Sequence, residues 1–502
     1  MAARTIRGLL GALIVGATLL APTTSHAAPE DVVIQSNAPD QIDIALTVFK
    51  PDGASESSPA PVILQSHGWG GSRATSGMTT WLDAGIGVVS FDQRGHGDTG
   101  GEANVEDPEL EGYDVEAVID YVASLDWVAL DGPGDPKLGA IGGSYGGGYQ
   151  TIGALSEILH HGDTRFNALA PEITWYDLNE SLAPQGVVRT IWVTGLYAVA
   201  PSHPQWMDVA FAQGAASGQY PGHDDEVPAL EDLYARFYEH SPRAFADDGI
   251  KLDIPVLQRQ GVTDDLFNLN QGLHIFQDVL TDDARADSLF IGYNGGHVLA
   301  PEVVPPASVP SGDPCSAASG GFTALSIAFY QKVFAGESPQ SLLEHQYNIA
   351  TNDNGCIRAN SLDFYGASPA GVDGVVATTT TSGAPVAYEL AEGPISVAGI
   401  PLISGNLTTV GVDARAFFAL SVGTSPADAT VIQNNVMPIR SLLPVVNEPI
   451  ERELPAVAVD VPVGQSLFLT VSPFSSGHGG HASRTPGAIT ITDAFVSLPI
   501  AS

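Results

Sequence analysis

From residue 31 to about 295, short apolar runs alternate with stretches of helical periodicity. Val32 to Gln35, Ile42 to Phe49, Val62 to Gln65, Gly87 to Phe91, Leu138 to Gly142, Ala168 to Ala170, Pro255 to Gln260 and Ser288 to Tyr293 read as strands. Between them, Val115, Val118, Ile119 and Val122 fall at i, i+3, i+4 and i+7, which makes one helical stripe. Ile152, Leu155 and Leu159 repeat that spacing after a glycine-rich turn at 142–148. Such alternation predicts a mostly parallel sheet covered by helices on both faces. Residues of about 172–251 break the rhythm with Trp175, Tyr176, Trp192, Tyr197, Trp206 and Tyr220 among helical signals. This segment reads either as a cap over a site or as an ordinary helical insertion.

Past a helix at about 324–334 the texture changes. Thr378-Thr379-Thr380-Thr381-Ser382-Gly383 reads as an exposed loop or linker. Phe417 to Val422, Val457 to Val463, Leu467 to Val471 and Ile489 to Val496 then follow at close spacing, punctuated by Pro and Gly. That pattern predicts a β-sandwich of the jelly-roll kind. The expected division is a sheet-and-helix domain over 28–340 and a β-sandwich over 341–502.

Charge narrows the partners. The 502 residues hold 57 Asp and Glu against 19 Lys and Arg, a formal charge of −38. An apolar content of 44% separates the chain from acidic disordered sequences. The charge argues against sequence-independent nucleic-acid binding, because neutralising phosphates needs a basic face, and no nucleic-acid partner is expected; anionic membranes are disfavoured for the same reason. At the N-terminus, Arg4 and Arg7 precede the apolar run Leu9 to Leu20, and Ser25-His26-Ala27 puts small residues at −3 and −1. Residues 1–27 therefore read as a secretory signal peptide. The run falls short of the about 20 apolar residues that span a bilayer, so a secreted protein free of the membrane is expected. In that compartment Cys315 and Cys356 are expected to form one disulfide, worth roughly 3–4 kcal/mol in the chain-entropy picture. No Cys-x-x-Cys spacing is present, and no metal or cofactor is expected.

The chemistry centres on Gly142-Gly143-Ser144-Tyr145-Gly146, a G-x-S-x-G string between a strand and a helix. A hydroxyl on so tight a turn stands exposed in a strained backbone, and the following helix aims free N–H groups at a developing oxyanion. The competing reading is a structural glycine turn. Three further strings follow other strand ends. His67-Gly68-Trp69-Gly70-Gly71 would supply the Trp69 backbone N–H as an oxyanion donor beside that of Tyr145. Gly261-Val262-Thr263-Asp264-Asp265-Leu266-Phe267 offers an orienting carboxylate, Asp264 fitting the G-x-x-D-x-L-F spacing better than Asp265. Gly295-Gly296-His297 offers an imidazole. The order Ser144, Asp264, His297 is that of nucleophile, acid and base in α/β-hydrolases.

Other residues read as structural. Asp92-Gln93-Arg94-Gly95-His96-Gly97 forms a buried charged turn held by an Arg–carboxylate pair, and His67 and His96 bond to backbone. His160-His161 suits the negative end of a helix. His478 and Gly479-Gly480-His481 read as an exposed loop rather than a weak metal loop. Trp69, Trp175 and Tyr176 are expected to line an apolar acyl or proline pocket, with ordinary packing as the competing role.

In Gly142 to Gly148, Asp92 to Gly97, Thr263 to Phe267 and Gly295 to His297, the chain resembles the X-Pro dipeptidyl-peptidase and cocaine esterase-like (CocE/NonD) group of α/β-hydrolases. The resemblance implies an α/β-hydrolase core, a helical cap inserted after the sixth strand and a C-terminal jelly-roll module. It also implies cofactor-free cleavage of esters, amides or N-terminal dipeptides ending in proline, by a serine triad. Many members place a tyrosine after the third strand, where this chain has His67-Gly68-Trp69, and no acidic clamp for a free amine is recognisable. The expected function is a secreted serine hydrolase acting on small ester or peptide substrates through an acyl-enzyme. Two alternatives stand beside it, an X-Pro dipeptidyl-peptidase proper and a surface- or polymer-binding protein with acyltransferase activity.

Overall fold

A computed structural model describes residues 26–223, 228–362, 368–372, 376–379, 383–480, 482–501. The signal-peptide reading over 1–27 lies almost wholly outside them, as does His481. Ten strands form one mixed sheet: β1 (Glu30–Gln35), β2 (Asp43–Phe49), β3 (Val62–Gln65), β4 (Gly87–Phe91), β5 (Leu138–Gly143), β6 (Ala168–Glu172), β7 (Leu257–Gly261), β8 (Leu289–Tyr293), β9 (Tyr347–Ala350) and β10 (Cys356–Ala359). Their order is β1-β2-β4-β3-β5-β6-β7-β8-β9-β10. From β4 to β9 neighbours run parallel, while β1, β2 and β10 pair antiparallel at the edges.

The central strands β3, β4 and β5 are largely apolar because both faces are covered. Val62, Ile63, Leu64, Val88, Val89, Leu138 and Ala140 are all inaccessible to water. Helices α1 (Glu111–Ser124) and α2 (Tyr145–His161) lie side by side on one face, and Val115, Val118, Ile119, Val122, Ile152 and Leu155 fill the space beneath them. This is the α/β-hydrolase fold. Every connection leaving the C-terminal end of a central strand reaches the same rim, where ligands of open α/β sheets bind.

The stretch between β6 and β7 folds into short helices, Leu178–Leu182, Thr190–Ala198, Gln205–Ser217, Leu233–Glu239 and Pro242–Asp247. They sit over the rim and share an apolar cluster with the core: Tyr145, Trp175, Leu178, Tyr220, Phe237, Leu266 and Phe267.

Two expectations are corrected here. The sheet does not end at residue 340, because β9 adds parallel to β8 and β10 adds antiparallel to β9. Tyr347 and Ile349 are β-formers whose side chains complete the same core. Nor is the threonine run a plain linker, since Thr378 and Thr379 belong to a strand, Val376–Thr379, paired with Ala488–Leu498. Residues 380–382 lie outside the described set.

Beyond residue 368 come two five-stranded antiparallel sheets and a two-stranded ribbon. Ile403, Leu407, Phe418, Leu420, Leu469, Ile491 and Val496 from both larger sheets enter one core. The ribbon, Ile395–Gly399 with Val457–Val461, sends Val397, Val457, Val459 and Val461 into the same core and Ala398 and Ala458 into the hydrolase core, so it joins the two. Side chains cement that contact: Asn270 Nδ2 donates to the Leu454 carbonyl at 3.1 Å, and Gln433 Nε2 donates to that of Ala350 at 3.0 Å.

Cys315 and Cys356 are joined, tying the loop after β8 to β10. Opening this 41-residue closure should lower unfolding free energy by about 3–4 kcal/mol. Urea titration of Cys315→Ser/Cys356→Ser against the oxidised protein measures the difference, and equal midpoints would contradict it.

Candidate active site

Ser144 caps the first turn of α2 with φ 60° and ψ −123°, a conformation that side chains with a Cβ rarely adopt. The turn is enforced from both sides. Its own N–H donates to the Glu172 carbonyl at 3.0 Å, and its carbonyl accepts from the N–H groups of Gly147 and Gly148 at 2.8 and 3.0 Å. Glycine is required at 142, where φ is +150° and a Cβ would stand 2.5 Å from the Gly146 carbonyl oxygen and 2.8 Å from that of Ser66. The loop after β3 crosses directly over the hydroxyl, since a Cβ on Gly68 would lie 4.0 Å from Ser144 Oγ.

The other two ends of the relay come from the loops after β7 and β8. His297 Nε2 lies 2.9 Å from Ser144 Oγ, and His297 Nδ1 lies 2.8 Å from Asp264 Oδ2. The same Oδ2 accepts the His297 backbone N–H at 2.9 Å. Oδ1 accepts from the N–H groups of Leu266 and Phe267 at 3.0 and 2.7 Å. Asp264 is wholly buried, so these four contacts replace its water. Gly296, with φ +103°, leaves room for them, because a Cβ there would sit 2.7 Å from Asp264 Cβ. Burial disfavours the charged form of His297, but the charge and hydrogen bond of Asp264, with Asp265 behind, outweigh it and hold its pKa above the ordinary imidazole value. The structure thus brings Ser144, His297 and Asp264 into one hydrogen-bonded line.

Beside Ser144 opens a cavity of about 130 Å³. Trp69 and Trp175 line it, together with Val105, Leu196, Phe211, Phe237 and Phe267, and among the described residues no charged side chain does. Trp69 and Tyr145 meet edge to face at 5.0 Å between ring centroids. The Trp69 indole N–H donates to the Leu196 carbonyl at 3.0 Å, which hangs a cap helix on the loop after β3.

Tyr176 is a correction. It does not reach this cavity but stacks on His274 at 5.1 Å, in a separate polar cleft with Arg243, Asp278 and Glu453. In the non-helical segment after β6, Trp175 turns inward and donates its indole N–H to the His240 carbonyl, which sends its neighbour the other way.

Asp265, the acid that motif spacing ranks second, has a different place. Its carboxylate accepts from the indole N–H of Trp192 in the cap at 3.0 Å, from Leu299 N–H in the His297 loop at 3.1 Å and from Asn434 Nδ2 of the C-terminal module at 3.0 Å. Arg189 Nη1 of the cap donates to its carbonyl at 2.6 Å, and the Asp265 N–H donates to the His297 carbonyl at 3.0 Å. Burial pushes the Asp265 carboxyl up to about 6 despite these donors. Trp192 also stands edge-on to the His297 ring, 5.8 Å between centroids. The consecutive acids in the sequence were the signal available for this role, but its partners are up to 169 residues away.

The charged turn after β4 is buried as expected, with its partners drawn from outside it. Arg94 pairs with Asp40 and Asp114, and Asp92 with Arg73. His96 is driven down to about 4 by burial, and His67 is lowered for the same reason. His478 is not on an exposed loop: it is fully buried against Phe417, 5.0 Å between rings.

Asp265→Ala would leave one buried and two half-buried donors unpaired and should cost about 3 kcal/mol of stability. Urea unfolding followed by tryptophan fluorescence measures it. A loss under 1 kcal/mol would remove the joint from the account.

Comparison with known proteins gives a consistent result. The profile of the X-Pro dipeptidyl-peptidase (S15) family matches residues 40–298, just over half of the chain. An Escherichia coli (strain K12) protein, YcjY, described as uncharacterized, is 24% identical over 220 residues, which span 42% of this chain and 66% of that protein. A CocE/NonD family hydrolase from Staphylococcus aureus superposes with a TM-score of 0.65 at 12% identity, covering 95% of this chain and 97% of that one. An alpha-amino acid ester hydrolase superposes with a TM-score of 0.65 at 14% identity over 98% of this chain and 100% of its own. Among the described residues no helix is long and apolar enough to cross a membrane.

Proposed function

The chain belongs to the X-Pro dipeptidyl-peptidase (S15) family of serine hydrolases, and from that premise we propose a secreted esterase that transfers an uncharged apolar acyl group to Ser144 and then to water. One observation carries this reading: the unbroken path from Ser144 Oγ through His297 to the buried Asp264 carboxylate.

The steps follow from that path. Ser144 Oγ attacks the ester carbonyl while His297 Nε2 takes its proton. Asp264 keeps the remaining imidazole proton on Nδ1 and favours the imidazolium that forms. The backbone N–H groups of Tyr145 and Trp69 hold the negative oxygen of the tetrahedral intermediate. Collapse expels the alcohol, which leaves with the proton from His297. Water repeats the sequence on the acyl-enzyme and releases the acid and free Ser144.

The acyl group follows from the cavity. At about 130 Å³ it approaches the roughly 150 Å³ of engineered apolar cavities that take up benzene, which suits a short chain or single ring. A peptide's α-ammonium would lose its water there without meeting a carboxylate among the described lining residues, and burying an unpaired charge is costly. Ester substrates are favoured on that ground. The disulfide suits an oxidising compartment and supports export.

Ser144→Ala should abolish labelling by a fluorophosphonate and lower kcat on p-nitrophenyl butyrate by about 10⁶. Retained labelling would sink the nucleophile assignment. Faster turnover of Ala-Pro-p-nitroanilide than of the ester would overturn the substrate class while leaving the nucleophile in place. His297 must be neutral to take a proton, and its pKa is raised. The kcat/KM profile on the ester should therefore rise with pH through a midpoint above about 6.5. Asp264→Asn should move that limb to lower pH and cut kcat about 10⁴-fold. An unmoved limb would argue against Asp264 as the partner.

A further inference from the structure

We propose that Glu116 of α1 and His160 and His161 at the end of α2 form a zinc site, on the far end of the helix that starts at Ser144. One ligand atom from each lies within 4.8 Å of the others. Glu116 Oε1 is 2.6 Å from His160 Nδ1, and Oε2 is 3.0 Å from His161 Nε2. Two imidazoles and a carboxylate are the donor set that zinc takes, with water completing a tetrahedron.

Hydrogen bonds alone account for only part of this geometry. If each imidazole simply donates one N–H to Glu116, His160 is left with a bare Nε2, and that atom is buried with no hydrogen-bond partner. The His160 side chain is 92% buried, being 8% exposed, and the Glu109 carboxylate lies 3.6 Å from its Nε2. A metal on Nδ1 moves the proton to Nε2, where Glu109 is the nearby acceptor. A ligating histidine with a carboxylate behind its other nitrogen is the usual outer arrangement of such sites. Tyr113 stacks on the His160 ring at 4.2 Å and fixes its plane.

The two helices also approach closely enough for a single ion to bridge them. A Cβ on Gly112 would lie 2.7 Å from Ser156 Oγ, so α1 and α2 touch through glycine one turn from the cluster. His161, 58% exposed, leaves an open side for entry. An ion there would clasp α1 to α2 without touching the relay at the other end.

Calorimetric titration of ZnCl₂ into EDTA-treated mature protein tests this, with millimolar MgCl₂ present to occupy the acidic surface. One zinc per chain should bind, with a matching rise in thermal midpoint. His161→Ala should weaken binding at least tenfold, Glu116→Gln should do the same, and His345→Ala, remote from the cluster, should leave it unchanged. The exposed position of His161 makes its variant safe to fold. No saturable binding, or affinity equal in His161→Ala and the parent, would overturn the proposal and leave a hydrogen-bonded trio.

Discussion

A carboxylate without access to water is the constraint around which the rim is organised. Asp264 survives in the interior because four N–H groups from two loops converge on it, three of them backbone. Neither loop could supply them alone. Leu266 and Phe267 curl back within the loop after β7, while His297 arrives from β8 and gives both its ring and its main chain. The imidazole is thus oriented by the burial of its neighbour's charge. The same geometry dictates the glycine at 296, where any side chain would occupy the space of the acid.

A second buried acid follows immediately and faces the opposite way. Asp264 holds the His297 imidazole, whereas Asp265 gathers the architecture: a cap indole, a main-chain N–H of the histidine loop and an asparagine from the C-terminal module. Its carboxyl titrates high because burial outweighs those donors. Cap, core and β-module therefore meet on one residue next to the relay. Ala398 and Ala458 of the ribbon extend that union into the hydrophobic core.

Much of this was legible from the chain. Strands of the central sheet announce themselves because they are buried on both faces, which demands unbroken runs such as Val62 to Leu64. The strings around Ser144, Asp264 and His297 are legible for a related reason, since tight turns at strand ends admit few residue types. Contacts made across long separations were not. Tyr176 shares its neighbour's aromatic character but not its direction, and only the packing of Trp175 decides between them. Thr378 and Thr379 look like linker residues until Ala488–Leu498 lies alongside. The end of the sheet was misplaced because β9 and β10 are four residues each, too short to outweigh the change in texture before them. The carboxylate between His160 and His161 belongs to another helix, 44 and 45 residues away.

The indole of Trp192 has a consequence of its own. It donates to Asp265 while standing at right angles to the ring of His297, so the cap that roofs the chamber is braced against the imidazole itself. Lifting that roof to admit a larger guest would unseat the imidazole's neighbour. The width of the chamber and the setting of the imidazole are thereby coupled through one indole.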